Sequence, residues 1–175
     1  MISTVFTPWL SANAGNDPKS ARTALSFDAE GSILPSYSVF RDVLSEQFLN
    51  ARSRICVVSS AFEDREIALM LFGASQRAVG TAVRVAPRVQ NQSGRLQTVV
   101  DTLQFLGVPV TESSLKPLKL SGPTFIAIDR RVWAVNVPLS ETSTGSVEVE
   151  SAPWTSAEVC GWAGSAQSAK AATVR

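Results

Sequence analysis

The twenty residues Leu120–Leu139, LSGPTFIAIDRRVWAVNVPL, constrain this chain more than any other stretch. Phe125-Ile126-Ala127-Ile128 ends on an acid, Asp129. Arg130-Arg131 make a two-residue polar step, and Val132 to Val137 runs back. Two β-branched and aromatic runs joined in this way predict a hairpin in the middle of a sheet.

The flanking pattern predicts what covers that sheet. After a first strand at 23–28 (TALSFD) and a loop at 30–36, period 3.6 begins at Ser38, an expected N-cap. Phe40, Val43, Leu44, Gln47, Phe48 and Ala51 then form one face. Arg54 to Ser60 (RICVVSS) has the continuous apolar run of a strand covered on both faces. Asp64 caps a second helix to Ala78 that buries Ile67, Leu69, Met70, Leu71 and Phe72 and stops at Gly80. Thr81 to Ala86 alternates as a strand. Ser93 caps a third helix ending at Gly107, and Val108 to Thr111 is a short strand. Gly145 to Glu150 reads as an edge strand, and 155–172 as an Ala-rich helix weakened by Gly161 and Gly164. The order β-α-β-α-β-α-β-β-β-β-α gives an α/β fold, a mixed sheet flanked by helices on both faces. Residues 1–22 read as a flexible arm, 23–152 as the domain and 153–175 as a C-terminal tail or helix.

With 175 residues, 45% of them apolar, the chain can bury a core without staples. Cys56 lies in an apolar run far from Cys160, which favours a buried reduced thiol over a bridge. No apolar run approaches the roughly 18 residues that cross a bilayer. The N-terminus lacks a positive leader and Pro8 breaks its apolar segment, so a signal peptide is rejected and the cytoplasm expected.

The sequence contains no histidine. That removes Ser/His/Asp triads, Cys/His dyads, histidine nucleophiles and most zinc or iron sites. No Gly-rich phosphate loop is present, and no metal or cofactor is called for.

Several segments, in order, resemble the phospholipase D superfamily, in particular its small single-motif nucleases. Arg54–Phe62 (RICVVSSAF) is similar to its first core strand. Arg77–Val85 (RAVGTAVRV) is similar to its basic-x-Gly-Val turn and second strand, and Leu103–Val110 (LQFLGVPV) to its next segment. Phe125–Asp129 resembles the strand that ends in the aspartate of the His-x-Lys-x4-Asp signature. In that register the histidine position is Gly122 and the lysine position Thr124, so the signature is degenerate. Asn136-Val137-Pro138-Leu139 keeps little of the Gly-Ser-x-Asn segment that follows it in the family.

The resemblance implies a chemistry in which one histidine attacks phosphorus, a second protonates the leaving group and a lysine stabilises the phosphoryl oxygens. Gly122 and Thr124 supply none of these functions. The expectation is therefore a pseudoenzyme, not an enzyme, that works by binding. The resemblance further implies a homodimer and, through plasmid-borne relatives, a regulator or inhibitor of conjugation or DNA-processing machinery. Asp129 is expected to cap the hairpin turn or to pair with Arg130 or Arg131.

Two other readings remain. Between Arg77 and Arg131, eight basic residues stand against three acidic ones, a net of +5. Arg84, Arg88, Lys116, Lys119, Arg130 and Arg131 are candidates for a phosphate backbone or an acidic protein surface, and Trp154 for a protein anchor. Glu141, Glu148, Glu150 and Glu158 oppose nucleic acid. A hydrolase using Asp129 and a metal lacks a convergent carboxylate cluster around it.

Overall fold

A computed structural model describes residue 27 and residues 31–87, 94–118 and 122–164. The elements are β1 (Ser32–Leu34), α1 (Tyr37–Asn50), β2 (Arg54–Ser59), α2 (Arg65–Gln76), β3 (Gly80–Val85) and α3 (Gly94–Phe105). There follow β4 (Val110–Glu112), a 3-10 turn at Lys116–Leu118, β5 (Thr124–Ile128), β6 (Arg131–Val135), β7 (Val147–Ser151) and α4 (Ser156–Gly164). The sheet order is β1-β7-β6-β5-β2-β3-β4. β2, β3 and β4 are parallel, as their helical crossovers require, and β5 reverses direction beside β2. The predicted mixed α/β sheet is present.

Side-chain alternation assigns the two faces. Ile55 and Val57 of β2, Ile126 and Ile128 of β5 and Trp133 and Val135 of β6 pack with α1, α2 and α3 residues such as Phe40, Leu71 and Leu103. Cys56, Val58, Phe125, Ala127 and Val132 point to the opposite face, where Val159 and Ala163 of α4 cover them. The helix caps follow from sequence: Ser36 accepts from the Val39 N–H and Asp64 from the Ile67 N–H at 2.9 Å.

Several local expectations are corrected. The first strand is Ser32–Leu34, inside the predicted loop; of 23–28 only Phe27 is described, buried against Phe40 and Trp133 and outside any strand. The α1 cap is Ser36 rather than Ser38, which lengthens the helix by the buried Tyr37. Leu69 is 62% exposed, because the core stripe of α2 is Ile67, Ala68, Leu71 and Ala74. Ala78, at φ 62°, ends that helix, and Gly80 opens β3 instead. The hairpin turn falls on Asp129-Arg130, one residue early, because Asp129 adopts the left-handed conformation. β7 is not an edge, since β1 pairs outside it. Cys56 and Cys160 form a disulfide, with Cα atoms 5.2 Å apart, contrary to the expected free thiols. The packing of α4 across β2 brings together what 104 residues of sequence separate. The readings of 1–22 and 165–175, and the Ser93 cap, lie outside the described residues.

Candidate functional site

Thr124 opens β5 at the end of the sheet where β2 finishes, and Gly122 lies two residues before it. Register pairs Thr124 with Ser59, and both side chains are fully buried on the face that carries α1 and α2. Thr124 Oγ1 donates to the Val137 carbonyl at 2.8 Å, and Ser59 Oγ donates to the Ala61 carbonyl at 2.7 Å. The two hydroxyl oxygens are 2.8 Å apart. Two protons serve three short contacts, so the hydroxyls form a closed unit with no donor left for a phosphoryl oxygen. At the histidine position, a Cβ on Gly122 would meet the Val135 carbonyl at an ordinary 3.6 Å, so backbone crowding does not enforce the glycine. Thr124→Val should cost about 1–2 kcal/mol in a urea unfolding curve, the usual cost of buried hydrogen-bonding groups losing partners. An unchanged midpoint would show that the hydroxyl unit adds nothing.

Around this end, on the α1–α2 side, carboxylates accumulate. Ser140 Oγ donates to Glu63 Oε2 at 2.7 Å, and the Arg65 N–H donates to Glu141 Oε1 at 3.3 Å. Arg41 Nε lies 2.9 Å from Glu66, and Arg41 Nη1 lies 3.9 Å from the buried Asp64. Burial, followed by the neighbouring Asp64 carboxylate, raises the Tyr37 hydroxyl above its ordinary value and keeps it neutral. The local balance is four carboxylates, Glu63, Asp64, Glu66 and Glu141, against Arg41 and Arg65. Sequence reasoning missed this cluster because its members come from α1, the β2–α2 junction and the segment after β6.

Asp129 belongs to the other end of the same strand. Its Oδ1 accepts from the Ser53 N–H at 2.7 Å, the Ser53 hydroxyl at 2.8 Å and the Arg54 N–H at 3.2 Å. The Arg52 N–H reaches Oδ1 and Oδ2 at 3.2 and 3.1 Å. Burial alone would raise its pKa, but the hydrogen bonds from Ser53, Arg52 and Arg54 outweigh it and hold the carboxyl below its usual range. The aspartate therefore fastens the start of β2 to the end of β5. It neither caps its own turn nor pairs with Arg130 or Arg131.

The sequence-based binding candidates do not converge. Arg84 donates to the carbonyls of Trp162 and Ser114 at 3.0 and 3.1 Å, which ties β3 to α4. Lys116 is exposed on the 3-10 turn beyond β4. Arg130 and Arg131 lie at the opposite end of the sheet, beside Asp129. Trp154 stacks edge-on against Trp162 at 5.3 Å, half-buried against the α4 face. Arg88 and Lys119 lie outside the described residues.

No family model matches the sequence, and neither does any curated protein. Among solved structures, the chain is similar to Nuc from Salmonella typhimurium, a phospholipase D family member. The identity is 16% and the TM-score 0.51, over 69% of this chain and 82% of that one. The fold is similar to that of this phospholipase D family member. A polyphosphate kinase from Porphyromonas gingivalis aligns with a TM-score of 0.52 at 14% identity, over 69% of this chain and 23% of the kinase. TrmBL2, an archaeal chromatin protein with a DNA-binding mode, aligns at 0.47 and 13%, over 70% of this chain and 46% of that one. At these identities the likeness is one of fold.

One expectation is corrected by these neighbours. The chain was expected to be no enzyme, yet its phospholipase D fold is one that enzymes use, the polyphosphate kinase among them. The absence of histidine removes the mechanisms that depend on a histidine, and not enzymatic activity as such. Among the described residues, no helix is long and apolar enough to cross a membrane.

Proposed function

We propose that this chain acts by binding a protein partner at the Gly122 end of its sheet, and that binding there regulates the partner. One observation carries the reading: the position where the fold's signature places a lysine is sealed by the Ser59–Thr124 hydroxyl unit, beneath a rim rich in carboxylates. An acidic, closed end repels phosphates and suits a basic protein surface. Conjugation or DNA-processing machinery is the class of partner that the single-motif resemblance suggests. The disulfide supports residence in an oxidising compartment rather than in the cytoplasm expected from free thiols.

The test is affinity capture from the native host with wild-type protein and a Glu63→Lys/Glu141→Lys variant. A stable partner retained by the wild type and lost by the variant supports the proposal. Equal capture by both, or none by either, overturns it.

A further inference from the structure

The end of the sheet opposite Gly122 carries a separate surface. Arg52 and Arg54 enter β2 there, and Arg130 and Arg131 turn from β5 into β6. All four are exposed, and among the described residues none forms an ion pair. The only carboxylate built into these two loops, Asp129, has its oxygens committed to the N–H groups of residues 52, 53 and 54. It therefore clamps the two arginine-bearing loops together without pairing with a guanidinium. Arg54 stands opposite Asp129 on neighbouring strands, and Arg131 pairs with Ile128 one strand further on. Adjacent strands lie ~4.8 Å apart, so the backbone positions of these arginines span only two inter-strand steps, with Arg54 alternating to the α4 face and Arg131 to the α1 face.

A shallow cavity of about 360 Å³ opens beside Arg130 and Arg131, lined also by Gln47, Asn50, Ser53 and Asp129. Amide and hydroxyl donors accompany the arginines, and Trp133 at its floor is buried. Four arginines at this end stand against one carboxylate, Asp129, whose oxygens already accept backbone N–H groups, so the end keeps a net positive charge that a polyanion neutralises while releasing its own counterions. The arginine fork also matches phosphate oxygens in a way lysine does not.

We propose that this Arg52–Arg54–Arg130–Arg131 end binds the phosphodiester backbone of a nucleic acid. The surface is independent of the acidic end, so the chain joins a protein at one end of its sheet to a polynucleotide at the other.

The test is fluorescence anisotropy with labelled single- and double-stranded oligonucleotides of mixed sequence, titrated with the full oxidised chain between about 50 and 200 mM salt. Arg52→Ala/Arg54→Ala, Arg130→Ala/Arg131→Ala and Lys116→Ala variants are compared, each first shown to unfold at the wild-type midpoint. Binding should weaken steeply with salt. Each double variant should lose at least ~10-fold in affinity and lower the salt slope by about 1.8, at ~0.9 per phosphate contact, with Lys116→Ala unchanged. No binding at the lowest salt, a slope that the arginine changes leave intact, or a loss that follows Lys116 overturns the proposal. Arginine-dependent binding of polyglutamate without oligonucleotide binding assigns the surface to an acidic protein and also overturns it.

Discussion

Cys160→Ser, or reduction of the wild type, should lower global stability by about 4–5 kcal/mol. The Cys56–Cys160 bridge closes a loop of 104 residues, and restricting an unfolded chain over that length is worth about 4.7 kcal/mol in the chain-entropy account. For a chain of this size the melting temperature should fall by about 10–15 °C. The loss should begin locally. α4 spans nine residues, includes Gly161, ends at Gly164 and buries only Ser156, Val159 and Ala163. Such a helix has no stability of its own and depends on docking. Amides of α4 should therefore exchange well before those of β2 once the bridge is open. Thiol titration of the denatured, unreduced protein should find none. Two free thiols, or a melting temperature indifferent to reductant, would contradict this.

Asp129→Ala should cost about 3 kcal/mol. The change removes a charged acceptor of three backbone N–H groups and one hydroxyl, and places alanine at φ 53°, where a Cβ is strained. Asp129→Asn keeps a residue that tolerates this conformation and should cost about half as much. The aspartate also makes stability depend on pH. Its folded pKa lies below the unfolded value, so its contribution is complete above the ordinary carboxylate range and is lost as pH falls through the folded pKa. Urea midpoints of wild type and Asp129→Asn should differ fully at neutral pH, begin to converge near pH 4 and coincide in strong acid. A gap constant down to acid would mean that the carboxylate charge does not act there.

Much of the fold was legible because periodicity survives in the sequence. RICVVSS could only be a strand buried on both faces, and Asp64 announced its helix. The resemblance to the phospholipase D fold rested on the order of such segments, which the sheet reproduces. What was not legible depended on tertiary proximity. Nothing in the spacing of Cys56 and Cys160 shows that α4 lies across β2. The register of the hairpin slipped by one because Asp129 takes a left-handed conformation, which its partners Arg52 to Arg54 stabilise from 75 or more residues away. The same long-range folding divided the arginines. A run of basic residues along the chain became Arg84 tied to α4 at one place and Arg130 and Arg131 at the far end of the sheet, where Arg52 and Arg54 join them. The sequence count of +5 thus described no single surface.

On the proposed reading, a protein partner docks at the sealed, carboxylate-rimmed Gly122 end. Hydrogen exchange of the full oxidised chain, alone and with its captured partner, tests it most directly. Protection should concentrate in residues 60–66 and 136–145. Protection confined to the arginine end, or no change at residues 60–66 and 136–145 in a stable complex, would contradict it.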